Sequence, residues 1–172
     1  RNINVVINPS SNAKLASGVA DIAKLIDNGI NLSLGTDGAA SNNALDMFRE
    51  MYLAFALTNL KNTKPNSIAP KRILNMATKG GATSIGLKNN SLSVGNLADI
   101  IRINLRSPNM QPLNNIVDNL VYSGSKSNIY MTMVNGKILY ENGEFFIGED
   151  PDTIYKRSNE IVKRLKTNIS YY

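Results

Sequence analysis

The chain opens by alternating between two apolar periods. Ile3 to Ile7 is a short β-branched run closed by Asn8, Pro9, Ser10, Ser11 and Asn12, a cluster that breaks regular structure, so a strand followed by a loop is predicted. Val19, Ile22, Ala23 and Ile26 then recur at helical spacing, and Gly29 stands where a helix C-terminal glycine belongs. Ile30 to Leu34 restores the strand signal, Gly35 to Ser41 reads as a loop, and Leu45, Phe48, Met51, Tyr52 and Phe55 draw a second helical stripe. Strands alternating with amphipathic helices pair in parallel through right-handed crossovers, which makes this region α/β.

Pro65 ends the second helix, and Pro70 suits the first turn of the next, where its missing N–H costs nothing. Ile73, Leu74, Met76 and Ala77 give that helix an apolar side, Gly80 and Gly81 are expected to stop it, and Ala82 to Leu87 allow one further short helical piece. From about Ser91 the grammar changes. Ile101, Ile103 and Leu105 alternate, Pro108 and Pro112 punctuate a loop, and Ile116 to Tyr122 suits a short helix. Ile129 to Val134, Lys137 to Tyr140 and Glu144 to Ile147 are then separated by Asn135-Gly136 and Asn142-Gly143, the strongest short-range hairpin signal. Asp152 is expected to cap a last helix that buries Ile154, Ile161, Val162 and Leu165. The pattern predicts an α/β part over 1–90, a small antiparallel part with its connecting segment over 91–148, and a terminal helix over 149–172.

Composition narrows the class. At 172 residues and 42% hydrophobic, the chain suffices for one ordinary domain or pieces of two. It has no apolar run long enough for a membrane span and no leader pattern at Arg1, Asn2 and Ile3. With no cysteine, disulfides and thiolate metal sites are excluded. A soluble, cytoplasmic protein without a membrane partner is expected. The formal charge of +6 hints at an anionic partner. The densest basic group, Lys156, Arg157, Lys163, Arg164 and Lys166, falls on the terminal helical pattern without the aromatic interleaving that stacks bases, so it reads as a solvated face and no nucleic-acid partner is expected.

The candidate chemistry sits in Gly35-Thr-Asp-Gly-Ala-Ala-Ser-Asn42, where Asp37 follows a predicted strand. α/β folds gather reacting groups at the carboxyl ends of their strands. Asp-Gly is also an ordinary turn dipeptide, and the carboxylate would equally serve to cap the next helix. The chain holds no histidine. An acid/base or metal site around Asp37 therefore lacks its commonest partners, and zinc deaminases of the His-x-Glu, Pro-Cys-x-x-Cys type are excluded. Phosphate-binding Gly-rich loops and a nucleophile elbow with a histidine partner are absent as well. Ser41 and Asn42 are placed either to line a pocket or to cap the following helix. Asn8, Ser11 and Asn12 are placed either to line that pocket or to stabilise their own turn. Asp46 reads as a first-turn charge on the helix dipole, and Met47, Met51 and Met76 read as core.

Several separated motifs occur in one order: Asn8-Pro-Ser-Ser-Asn-Ala-Lys-Leu-Ala-Ser-Gly18, Leu34-Gly-Thr-Asp-Gly-Ala-Ala-Ser-Asn-Asn43, Leu45-Asp46-Met47, Met76-Ala77-Thr78, Gly81-Ala82, Gly86-Leu87, Val94-Gly95, Ala98-Asp99 and Val134-Asn135-Gly136-Lys137. Together they resemble the metal-dependent amidohydrolase superfamily, and within it the 5-methylthioadenosine/S-adenosylhomocysteine deaminases and the triazine chlorohydrolases. The resemblance implies a distorted (β/α)₈ barrel with a small β-sandwich, of which this chain carries the last two barrel strands and helices and the C-terminal share of the sandwich. It implies that Asp37 contacts a divalent metal, zinc foremost, and moves protons between metal-activated water and the departing ammonia. The family's His-x-His pair and its two later histidines have no counterpart here, and Ile7 stands where a histidine often precedes the Asn-Pro step.

Together with a first residue other than methionine, these absences lead to the expectation of a C-terminal portion that is inactive and metal-free alone. Its expected partner is the missing N-terminal part of the same protein or another copy, and its substrate, once complete, an adenosine-type or related heteroaromatic small molecule. A non-catalytic half-barrel used for binding or assembly, and a dechlorinase of the same superfamily, are the alternatives. Asp99 is read as seating a sandwich strand.

Overall fold

A computed structural model describes residues 3–87 and 91–168. Two compact units emerge. The first runs to Asn96 and resumes over Asn104–Ile129; the second joins Leu97–Ile103 to the chain from Tyr130 onward. Residues 104–129, grouped by sequence with the antiparallel part, thus lie with the first unit. The boundary expected after residue 90 adjoins 88–90, outside the described residues.

In the first unit, β1 (Asn4–Ile7) and β2 (Asn31–Leu34) pair in parallel, with Asn4 opposite Asn31 and Ile7 opposite Leu34. The Gly35 amide donates to the Ile7 carbonyl (3.0 Å), so both strands end at the same level. Between them lie α1 (Pro9–Lys14) and α2 (Ile22–Asp27). The segment Asn8 to Asn12, expected as a loop, is therefore mostly helix. Pro9 occupies the first helical turn, where an absent N–H is tolerated, and it starts the helix instead of breaking the chain. Gly29 takes φ 68° just past α2, as its spacing predicts.

After β2, α3 (Met47–Asn62) buries Phe48, Met51 and Ala54, whereas Leu45 and Tyr52 from the predicted stripe are exposed. Asp46 caps α3 by accepting from the Phe48 and Arg49 amides (2.9 and 3.4 Å), a fuller role than the first-turn charge expected of it. α4 (Pro70–Asn75) runs through a π turn (Met76–Gly80) into α5 (Gly81–Ser84). Gly80 and Gly81 therefore do not stop the helix. The smallness of Gly80 serves packing: a Cβ there would stand 2.1 Å from the Leu32 carbonyl oxygen of β2. Helix α6 (Ile116–Tyr122), capped by Asn115, closes the unit and buries Leu120 and Val121. Core residues Ile7, Leu32, Leu34, Ile73 and Met76 lie between sheet and helices.

The second unit is a four-stranded sheet in the order β3 (Ile100–Ile103), β4 (Ile129–Val134), β5 (Lys137–Glu141), β6 (Glu144–Phe145), followed by α7 (Pro151–Asn168). β4, β5 and β6 are successive antiparallel neighbours. Their turns use Asn135 (φ 48°) with Gly136 (φ 77°), and Asn142 (φ 49°) with Gly143 (φ 93°), the left-handed pairs that match hairpin twist. Asp99 accepts from the Asn135 amide (2.7 Å), tying the approach to β3 to the first hairpin turn. Asp150, not Asp152, caps α7: it accepts from the Thr153 amide (3.1 Å), because Pro151 takes the first helical position. Ile154, Ile161, Val162 and Leu165 of α7, expected in a core, are 36–54% exposed. No helix among the described residues is long and apolar enough to cross a membrane.

Candidate functional site

Asp37 follows β2 with φ 59°, a left-handed backbone that aspartate tolerates better than most residues. Its side chain is exposed and held by three donors. Ser11 Oγ and Ser41 Oγ both donate to Oδ2 (2.6 and 2.8 Å), and the Gly38 amide donates to Oδ1 (2.7 Å). The Ser11 hydroxyl foremost, then Ser41 and the Gly38 amide, hold its carboxyl below the ordinary carboxylate range, against a smaller opposing effect of desolvation. The group is thus an anion at neutral pH, aimed and partly satisfied, with its solvent side open.

The other sequence candidates divide around it. Ser11, buried on α1, and Ser41, in the loop after β2, bring the two strand-end segments together on one carboxylate oxygen. Neither Ser41 nor Asn42 caps α3, since Asp46 does so. Asn42 is buried and donates from Nδ2 to Glu50 Oε1 (2.7 Å) while its Oδ1 accepts from the Ala44 amide (3.2 Å). The Asn8 side chain lies against Gly35: a Cβ there would meet Asn8 Oδ1 at 2.6 Å and Val6 Cγ1 at 2.9 Å. This close approach accounts for glycine at 35, whereas Gly38 has open space around it. Asn12 faces elsewhere, lining a narrow crevice with Val19, Ile22, Ala54 and Thr58. Lys14 adds a rim contact by donating to Asn43 Oδ1 (2.7 Å).

Glu50 escaped the sequence reading. It sits on α3 with no exposed surface, and it accepts from the Ser10 amide (2.9 Å) as well as from Asn42. A glutamate on the helix face shared by Met51 and Ala54 was the available signal, because glutamate is rarely buried without partners.

The donor set does not by itself make a metal site. Among the described residues no three His, Cys, Asp or Glu side chains converge, and structural and catalytic zinc sites take at least three protein ligands. Asp37 has the chemistry of one arm of such a site.

The chain matches the Amidohydrolase family over residues 1–139. It is 45% identical over 144 residues to a 5-methylthioadenosine/S-adenosylhomocysteine deaminase of Pyrococcus furiosus, covering 84% of this chain and 34% of that protein. The structure resembles an adenosine deaminase from Xanthomonas campestris with bound zinc: TM-score 0.91, 32% identity, 95% of this chain and 38% of that one. It shares its fold with an atrazine chlorohydrolase from Arthrobacter aurescens in complex with zinc, at TM-score 0.84 and 23% identity over 94% of this chain and 36% of that one. The chain thus spans well under half the length of the relatives it matches. With its ordered motifs, its parallel strand pair and an aspartate at the strand ends, this chain belongs to the amidohydrolase family.

Proposed function

We propose that these residues form the C-terminal part of a longer amidohydrolase that hydrolytically deaminates an adenosine-type nucleoside, and that Asp37 is its proton-transfer group. The observation that carries this reading is the carboxylate of Asp37 itself: exposed at the ends of parallel strands, ionised, and oriented by two hydroxyls. A base that takes a proton from attacking water must be unprotonated and aimed, and general-base catalysis of this kind is worth about 10²–10⁴-fold. The hydroxyls of Ser11 and Ser41 keep Oδ2 pointed at one place, and the Gly38 amide fixes the rotation of the carboxyl group. Both serines also stabilise the anion that exists before the proton is taken up and after it is released.

A divalent metal, when bound, would supply a nucleophile near neutral pH by acidifying its water. Among the described residues Asp37 is the group that would reach it, so the remaining ligands are assigned to an N-terminal segment. The same segment would supply the other strands of a (β/α)₈ barrel. β1 and β2 form a sheet of two strands; Val6 on β1 and Ile3 just before it are 51% and 57% exposed, apolar surface that water penalises at about 25 cal/mol per Å². The chain without that segment is accordingly proposed to be inactive.

The test is to express the protein at the length of its relatives and assay ammonia release from 5′-deoxyadenosine, methylthioadenosine, adenosylhomocysteine and adenosine, with a chlorotriazine beside them. Turnover of an aminopurine that is lost in Asp37→Asn supports the reading. Release of chloride alone would assign a dechlorinase, and no turnover at all would return the chain to a binding or assembly module.

A further inference from the structure

We infer that Glu50 is a positioning residue for Asp37: one carboxyl group clamps both strand-end segments at the residues adjoining the two serines that hold the catalytic aspartate. Glu50 Oε2 accepts from the amide of Ser10, whose next neighbour Ser11 donates to Asp37. Glu50 Oε1 accepts from Asn42 Nδ2, whose preceding neighbour Ser41 donates to the same Asp37 oxygen. The clamp joins positions 40 residues apart on one side and 8 on the other, and the side-chain hydrogen bonds of Asp37 come from Ser11, Gly38 and Ser41 and not from the helix that carries Glu50.

The chemistry demands two acceptors. On the Ser10 side the donor is a main-chain N–H, which cannot reverse its polarity, and the Ser10 hydroxyl is buried without a partner, so the amide alone ties this turn to Glu50. On the Asn42 side the amide orientation is set by Ala44, whose N–H takes Asn42 Oδ1 and leaves Nδ2 facing Glu50. A glutamine would satisfy one donor and oppose the other. Glu50, Ser10 and Asn42 are all buried, so water is poorly placed to repair the loss. A shift of about 1 Å in either segment would carry a hydroxyl out of hydrogen-bond distance of Oδ2, which it now meets at 2.6 or 2.8 Å, and misplacement on that scale can cost up to about 100-fold in turnover.

The catalytic half of this inference rests on the function proposed above; the mechanical half does not, and the experiment reads them separately in the full-length protein. Glu50→Gln is expected to lower kcat about tenfold with KM within about twofold. Glu50→Gln with Asn42→Asp restores every hydrogen bond with the Asn42 side reversed, since the glutamine oxygen faces Ser10 and its NH₂ donates to the new aspartate. This swap is expected to return kcat to within about threefold of the parent. In a Ser11→Ala, Ser41→Ala background, Glu50→Gln is expected to add about twofold or less, because the groups through which it acts are gone.

Amide hydrogen exchange supplies the readout independent of turnover. Segments 8–12 and 38–44 should both exchange faster in Glu50→Gln and both return in the swap. An undiminished Glu50→Gln defect in the serine-free background, faster exchange in one segment only, or a swap that restores neither property would overturn the clamp. If the parent protein turns over none of the nucleosides, the proposed function falls, and the paired exchange response alone decides whether the clamp stands.

Discussion

The α/β unit and the antiparallel unit differ in what gives their loops their shape. In the first, the segments that frame Asp37 are tied by contacts from far along the chain: Ser11 to Asp37 across 26 residues, Lys14 to Asn43 across 29, Ser10 to Glu50 across 40. In the second, both hairpin turns are made by their own Asn-Gly pairs in left-handed conformations, and the first is braced from afar by Asp99, which accepts from the Asn135 amide, and by the Ala98 carbonyl, which accepts from the Gly136 amide (3.1 Å). A loop held locally keeps its shape when distant residues change. A loop held from afar can be set to the accuracy that chemistry needs, at the cost of depending on buried residues that never meet a substrate.

Substitutions at four positions in the full-length protein test this contrast. Asp37→Asn should have the largest effect, a loss of about a thousandfold in kcat/KM; a loss below about tenfold in the deamination assay would remove Asp37 from the chemistry. Glu50→Ala should come next. It leaves the Ser10 amide and Asn42 Nδ2 buried without an acceptor, at about 1–3 kcal/mol each, which urea denaturation would measure. In the antiparallel unit, Gly136→Val places a β-branched residue at φ 77° and should cost about 1–2 kcal/mol while leaving kcat alone. A fall in kcat there would break the distinction between the two units. Asp99→Ala should cost about 1 kcal/mol or less, and Asp99→Asn almost nothing, because an amide oxygen still accepts from Asn135.

The proton equilibrium of Asp37 sharpens the same contrast. Its folded pKa is lowered, so its contribution to stability is complete above the ordinary carboxylate range and disappears as pH falls through the folded value. Ser11→Ala removes the largest cause and should raise that pKa. Carboxyl ¹³C titration of the metal-free protein would show the midpoint moving up, and a midpoint that stays in place would mean Ser11 does not tune the group.

The legibility of the chain follows the same division. Both hairpins and the helix at Ile116–Tyr122 were readable because their causes are adjacent in sequence: Asn-Gly turns and an Asn115 cap. Asp37 and its place after β2 were readable from an apolar strand followed by an acidic loop. The partners of Asp37 were not. Ser11 read as a turn residue or a pocket residue, Asn42 as a pocket residue or a helix cap, and Glu50 drew no reading at all, because their roles arise only when β1 and β2 align. The helix start at Pro9 and the continuation through Gly80 failed for a related reason: proline and glycine each stop helices in some settings and serve them in others, and tertiary packing chooses. The exposed flank of α7 belongs with these, since a helical stripe shows an apolar side without saying what meets it.

The approach of Gly80 to the Leu32 carbonyl leaves room for a hydrogen atom and nothing larger. A saturation library at that position should therefore return a one-letter alphabet, whatever chemistry is selected, while Gly38, with open space around it, should accept newcomers freely. Two glycines indistinguishable in the sequence would then be told apart by tolerance alone, and position 80 would mark where helix and strand backbones meet.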